Sequence, residues 1–201
     1  MALKGQRTKA GDRTRTAILE ATLRLLGRVG PDAFSASSLA KEAGVSKATL
    51  FHHFGSIEAI PLAAFEEIWH QSLTPDTREL ISAHDYFEDL GQQVIISAQK
   101  HSEFLRAQVV FVTKAIFDPR LRRRLAASTL QMHRVVVQEL AARLPKSLKA
   151  SEIDSMARMA EMTLDGLMIA LVMRKGSNEL AESKRAWASF VDLLLSCTGA
   201  T

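Results

Sequence analysis

The residues from Ser35 to Phe54, SASSLAKEAGVSKATLFHHF, constrain the fold more than any other part of the chain. Ser35 is a good helix N-cap, Gly44 can take the left-handed geometry that ends a helix, and Ser46 caps again two residues later. Ala40, Ala43, Gly44, Val45, Leu50 and Phe51 make the compact inner side, and Phe34 is expected to fill a small core with Leu39 and Phe51. Two short helices on so tight a turn read as a helix-turn-helix, whose second helix can enter a DNA major groove. Ser46, Lys47, Thr49 and His52 put hydrogen-bond donors on that second helix.

The remaining sequence also reads as helix. Only 5 prolines and 10 glycines interrupt 201 residues, 47% of them hydrophobic, and no long stretch alternates in the strand manner. The expected fold is all-α, with nine helices in two domains. A basic arm and three-helix head occupy residues 1–55, with the motif at 35–54, and a helical ligand-binding and dimerisation bundle occupies residues 56–201. Residues 1–12 read as a flexible arm, and a first helix from Arg13 to Arg28 ends at Gly30 and Pro31.

A fourth helix reaches to about Gln71 and has two possible starts. A start at Ser56 puts Pro61 in the second turn, where it removes a backbone bond; a start near Ala59 puts it in the first turn, where proline is tolerated. Thr74-Pro75-Asp76 marks a loop. Further helices are expected over Ser82–Gln99, Ser102–Phe117, Pro119–Leu144 behind an Asp118 cap, Glu152–Arg174, and Asn178–Cys197. Ser151 is the expected cap of the penultimate helix, with Asp154 at its third position.

Charge is unevenly spread. Residues 1–54 hold nine Lys or Arg against four acids, whereas residues 55–201 hold 17 against 18. A basic head on a near-neutral body suits a module that meets a polyanion at one end. The single cysteine, Cys197, leaves no internal disulfide. No apolar run reaches the roughly 20 residues of a membrane span and no signal core opens the chain, so the expected location is the cytoplasm. A glycine-rich phosphate loop and an HExxH pattern are both missing. His52, His53, His70, His84, His101 and His133 show no metal spacing, so neither catalysis nor a metal or other cofactor is expected. Arg120, Arg122, Arg123 and Arg124 read as a solvated helix face.

Ala17-Ile18-Leu19 and Ala21, then Gly30, Leu39, Ala40, Ala43, Gly44, Val45 and Ser46, then Thr49 to Phe54 and Glu58-Ala59, stand in a specific order. This pattern, over roughly residues 13–60, resembles the head of the tetracycline-repressor-like (TetR/AcrR) family of bacterial transcription regulators. The resemblance implies a homodimer whose two recognition helices enter successive major grooves of a partly palindromic operator. It assigns the DNA face to Ser46, Lys47, Thr49, His52 and His53, joined by Ser35 and Ser37 and by Lys9 and Arg13 near the arm. Two positions depart from the family: Phe51 stands where tyrosine is usual, and Ile57 where a phosphate-supporting lysine is usual. Lys4, Arg7 and Lys9 are expected to compensate from the arm.

The resemblance also implies a cavity for a small apolar or amphipathic effector among the fourth to eighth helices. Phe65, Trp69, Tyr86, Phe87, Phe104, Gln108, Phe111, Gln131 and Thr163 are its expected contacts. The last two helices carry surplus apolar residues for a symmetric seam with a second copy: Met156, Met159, Thr163, Leu167, Ala170, Trp187, Phe190, Val191 and Leu194. The expected role is repression relieved by the effector. The alternative is a helical adaptor that keeps the fold without operator binding.

Overall fold

The computed structural model describes residues 3–69, 82–174 and 176–196, and among these it forms nine α-helices and no strand. In chain order they are α1 (Leu3–Val29), α2 (Ala36–Ala43), α3 (Lys47–Phe54), α4 (Ala59–Ala64), α5 (Ala83–Lys100), α6 (Ser102–Phe117), α7 (Pro119–Arg143), α8 (Ala150–Met173) and α9 (Ser177–Ser196). Beyond Ala64, α4 continues as a π-helical turn, Phe65–Trp69. The Thr74-Pro75-Asp76 loop and Cys197 lie outside the described residues.

Most helix ends follow local chemistry. At α5, Ser82 Oγ accepts the Asp85 N–H at 3.0 Å while the Asp85 carboxylate accepts the Ser82 N–H at 3.1 Å. Asp118 Oδ1 accepts the N–H groups of Arg120 and Leu121 at 2.8 and 3.1 Å and so opens α7 as expected.

Three boundaries differ from the sequence expectation or decide it. The first helix begins at Leu3, not Arg13, so the basic segment from Lys4 to Lys9 belongs to the helix. Lys, Arg, Gln and Ala between residues 4 and 10 favour helix, and no proline stops it. α4 starts at Ala59, which puts Pro61 third in the helix, where its missing N–H would have no partner within the helix anyway. α8 starts at Ala150, not Glu152: the Glu152 carboxylate reaches back to the Lys149 N–H at 2.6 Å, so Ser151 is not the cap. Asp154 is engaged elsewhere.

The contacts gather into two compact units that do not divide at residue 55. One comprises Met1–Gln71 and Glu103–Leu121; the other comprises Ser72–Ser102 and Arg122–Thr201. In the first unit Ile18, Leu19, Ala21, Leu25 and Leu26 of α1 are buried, as are Leu39, Leu50, Ile60 and Leu105. Thr22 is fully buried among them because its hydroxyl donates to the Ile18 carbonyl at 2.8 Å. Phe65 packs on Phe111 of α6 with ring centres 5.3 Å apart.

The second unit has its own core of Tyr86, Phe87 and Leu90 from α5, Val136 and Leu140 from α7, Ile153, Met156, Ala157 and Ala160 from α8, and Trp187, Val191, Leu194 and Leu195 from α9. Trp187 lies directly on Gly91, where a Cβ would come 2.2 Å from the indole nitrogen, and Nε1 donates to the Phe87 carbonyl at 3.0 Å. No described helix is long and apolar enough to cross a membrane.

Candidate nucleic-acid interface

The head's geometry is built from its two caps. Ser35 Oγ accepts the Ser38 N–H at 3.2 Å, and Ser38 Oγ accepts the Ser35 N–H at 2.9 Å, a reciprocal box made from two serines. Gly44, at φ 66°, ends α2 in the left-handed region, and the Val45 N–H returns to the Ala40 carbonyl at 3.0 Å. Only then can Ser46 start α3 one residue later. Its Oγ accepts the Thr49 N–H at 3.1 Å and lies 2.9 Å from the Thr49 hydroxyl.

Leu50 anchors α3 and is fully buried. Helical spacing therefore turns Lys47, Ala48, Phe51 and His52 outward, with Thr49 and His53 half-buried beside them. Phe51 is a correction: it is 43% exposed and does not fill the head's core. Leu39 and Leu50 close that core, and Phe34 is only half-buried. Phe51 stands one turn from Lys47 and shares its outward stripe.

The structure thus brings Ser46, Lys47, Thr49 and His52 onto one surface, with the His52 and His53 rings edge to face at 5.5 Å. Ser37 on α2 and Arg13 on α1 are exposed, Ser35 is exposed but occupied as a cap, and the side chains of Lys4, Arg7 and Lys9 lie outside the described residues. Glu42 of α2 is held between Arg24 and Arg28 of α1. The Arg28 hydrogen bond is the main cause that holds its carboxyl below the usual range. Arg15 was not singled out by the sequence. Its guanidinium pairs with Glu67 and lies 4.9 Å from the centre of the Phe54 ring.

The expected effector contacts fall in both units. Phe65 and Phe111 are buried against each other in the first, Phe104 is half-buried, and Gln108 is only 8% exposed. Gln108 Oε1 is buried with no hydrogen-bond partner among the described residues. Tyr86 and Phe87 belong to the core of the second unit, where Arg143 lies 5.3 Å from the centre of the Tyr86 ring. Burial pushes the Tyr86 phenol far up. Gln131 is exposed, because α7 turns His133 inward instead. Thr163 is half-buried, its hydroxyl donating to the Met159 carbonyl at 2.8 Å. The Trp69 side chain lies outside the described residues.

Of the expected seam residues, Met156, Trp187, Val191 and Leu194 are buried in their own chain's core, so they have no surface left for a partner. Met159 is exposed, and Leu167, Ala170 and Phe190 are half-buried. On the last two helices the large apolar side chains left open are Met159, Met162, Ile169 and Met173 of α8 with Leu193 of α9. One apolar stripe on each helix is core and another is outward, and periodicity alone does not rank them. Among the described residues no cluster of His, Cys, Asp and Glu is arranged to hold a metal ion.

The sequence pattern described as "Bacterial regulatory proteins, tetR family" matches residues 18–64. That described as "BetI-type transcriptional repressor, C-terminal" matches residues 83–196. The chain is 21% identical over 185 residues to the HTH-type transcriptional regulator BetI of Burkholderia cenocepacia, covering 90% of this chain and 93% of that one. It is 27% identical over 184 residues to BetI of Agrobacterium fabrum, covering 90% and 87%. Among solved structures, a transcriptional regulator from Saccharomonospora viridis in complex with choline has a TM-score of 0.72 at 18% identity, covering 90% and 96%. A transcriptional regulator from Rhodococcus sp. reaches 0.73 at 17% identity with the same coverage, 90% and 96%. At such identities the structural likeness speaks for the fold alone.

Proposed function

Because the chain belongs to the TetR/AcrR family of DNA-binding transcription regulators, which are not enzymes, we propose that it is a homodimeric repressor that leaves a partly palindromic operator when a small effector binds. The observation that carries this reading is the outward face of α3, where Ser46, Lys47 and His52 are all exposed beside Thr49. Lys47 reads a base edge or a phosphate, and Thr49 touches a thymine methyl or a phosphate. His52 and His53 contact the backbone. Ser37 and Arg13 add phosphate contacts, Lys9 extends them from the start of α1, and Ser35 contributes by fixing the start of α2.

Two such heads are needed, since one short helix offers few base contacts and symmetry doubles them. The open stripe of α8, with Met159, Thr163, Leu167 and Ala170 in or beside it and Leu193 and Phe190 from α9, is the surface proposed to meet the second copy. Effector binding is proposed at the α6 face bearing Phe104, Gln108 and Phe111. A buried carbonyl oxygen without a donor is costly, and an effector hydroxyl or N–H would relieve it. Choline, held by the Saccharomonospora viridis regulator, carries a hydroxyl and a quaternary ammonium that favours aromatic faces, and is the first compound to test. The Tyr86 face is already taken by Arg143, so phenylalanines would have to receive the ammonium.

The test is selection of bound sequences from random DNA with the purified protein. Inverted half-sites separated by about one helical turn, roughly 10 base pairs, are expected, with affinity that falls as salt rises. Choline should then release the selected DNA, because an effector acts only through unequal affinity for the two states. Enrichment of no sequence would favour the adaptor; DNA held firmly at every choline concentration would reject choline but leave the repressor.

A further inference from the structure

The fourth helix changes its winding at the place where it meets α1. After Ala64 the backbone widens into the π-helical turn Phe65–Trp69. A π turn spends an extra residue, so the side chains after it stand about one position, roughly 100°, away from where an unbroken α-helix would carry them. Glu67 sits in the middle of that turn, and its carboxylate accepts from Arg15 Nη1 of α1. The same guanidinium lies 4.9 Å from the ring centre of Phe54, the last residue of α3. Phe65, the first residue of the turn, is pinned by Phe111 of α6. All five residues lie within one compact unit.

We propose that Arg15 is a positioning residue for DNA binding, setting the end of the reading helix according to the winding of the π turn. The inference rests on the DNA-binding reading above. An arginine suits this task because its planar group can stack on a ring and aim N–H donors at a carboxylate together, which an ammonium cannot do. Because Glu67 lies inside the turn, rewinding to α geometry would change where its carboxylate stands relative to Arg15. The guanidinium would then lose its anchor over Phe54, and α3 would lose one contact on its last residue.

Three possible roles of Arg15 differ in sign, and anisotropy with the DNA selected by the wild-type protein separates them at several salt concentrations. Glu67→Gln removes a negative charge, which by simple electrostatics strengthens binding to a polyanion. The positioning role instead predicts an affinity loss of about threefold or more with the salt slope unchanged. Arg15→Lys keeps the charge, so a direct phosphate contact would leave affinity near wild type, whereas positioning predicts a loss comparable to that of Glu67→Gln. The double variant should be no weaker than Arg15→Lys alone, since both changes break one linkage. If either variant melts more than about 3 °C below wild type, Phe54→Leu replaces it; this removes the ring while keeping apolar bulk, and the same loss is expected. Glu67→Gln binding as tightly as wild type, or tighter, overturns the proposal. Wild-type protein that selects no DNA overturns both this inference and the function on which it rests, and does so before any variant is made.

Discussion

Gly27 of α1 lies so close to the backbone of Glu103 in α6 that an added Cβ would stand 1.7 Å from the Glu103 carbonyl oxygen. Arg106 closes the same contact by donating Nε to the Gly27 carbonyl at 2.8 Å. A glycine within a helix costs about 1 kcal/mol relative to alanine, so its presence here is explained by the space that α6 needs. Gly27→Ala should therefore destabilise the protein by about 1–3 kcal/mol despite the gain in helix propensity, because backbone atoms must move. Gly11→Ala, also in α1, meets nothing within 4 Å and should be neutral or stabilising by up to about 1 kcal/mol. Urea denaturation of the two variants checks the contrast; equal effects would mean that the α1–α6 contact is not tight in solution.

Met162 is 70% exposed on the open stripe of α8, whereas Val191 of α9 is fully buried. If that stripe meets a second copy, Met162→Glu should produce monomers, because an unpaired carboxylate would be buried in an apolar seam. The secondary structure of the chain should persist, since Met162 supports little of its own core. Sedimentation equilibrium reads the outcome directly. A dimer unaffected by the new charge would move the seam to another surface.

The parts of this fold legible in sequence are those whose partners lie within a few residues. Ser35, Gly44, Ser46, Ser82 and Asp118 announce their roles because a cap or a left-handed turn is local chemistry. The choice between Leu50 and Phe51 as core was not legible. Both are apolar, they differ by one step of the helix, and Leu39 on another helix decides between them. Met156 and Met159 pose the same problem, one buried and one exposed three residues apart. The docking of α6 on Gly27 joins residues 79 apart, and the partners of His133 lie 21 and 28 residues away. No periodicity carries such distances, and the winding of Phe65–Trp69 has no sequence rule at all.

His133 is nearly covered, and each ring nitrogen faces a carboxylate: Nε2 is 2.9 Å from Asp154 and Nδ1 is 3.0 Å from Glu161. Only the imidazolium has an N–H for both. The Asp154 hydrogen bond raises the ring above its ordinary 6.5; burial opposes this, and Glu161 adds to it. Asp154, also bonded by Arg158, is lowered chiefly by His133, whereas burial raises Glu161. A raised histidine contributes fully below its unfolded value and loses its contribution as pH climbs through the folded value. The raised Glu161 acts in the same direction, since its ionisation in the fold becomes costly as pH climbs. The lowered Asp154 contributes above its unfolded value and loses this as pH falls through the folded one. The Glu161 part falls first, as pH climbs out of the carboxylate range, and the His133 part falls next, so stability from this cluster should be highest near the carboxylate range and decline further above neutrality. Melting curves across roughly pH 6 to 9 should show that decline in wild type and a flatter profile in His133→Gln; parallel profiles would remove the imidazolium from the account.

Phe51 presents 43% of its surface on the same outward stripe as Lys47, so a substituent on its ring would meet whatever the reading helix meets. Phe51→Tyr adds one hydroxyl there without disturbing the core, which Leu39 and Leu50 close. If that hydroxyl finds a phosphate or base edge, a net hydrogen bond of about 0.5–1.5 kcal/mol should tighten operator binding by about two- to tenfold. The melting temperature of the free protein should hardly move. Lys47→Ala should act oppositely, weakening binding and reducing the dependence of log K on log salt by about one charge equivalent if the lysine neutralises a phosphate. Anisotropy titrations at several salt concentrations measure both variants together. Stronger binding by Phe51→Tyr with an unchanged salt slope, beside weaker binding and a shallower slope for Lys47→Ala, would place both side chains at the duplex. Indifference to both substitutions would mean that the duplex is met by another surface, whatever the shape of the head.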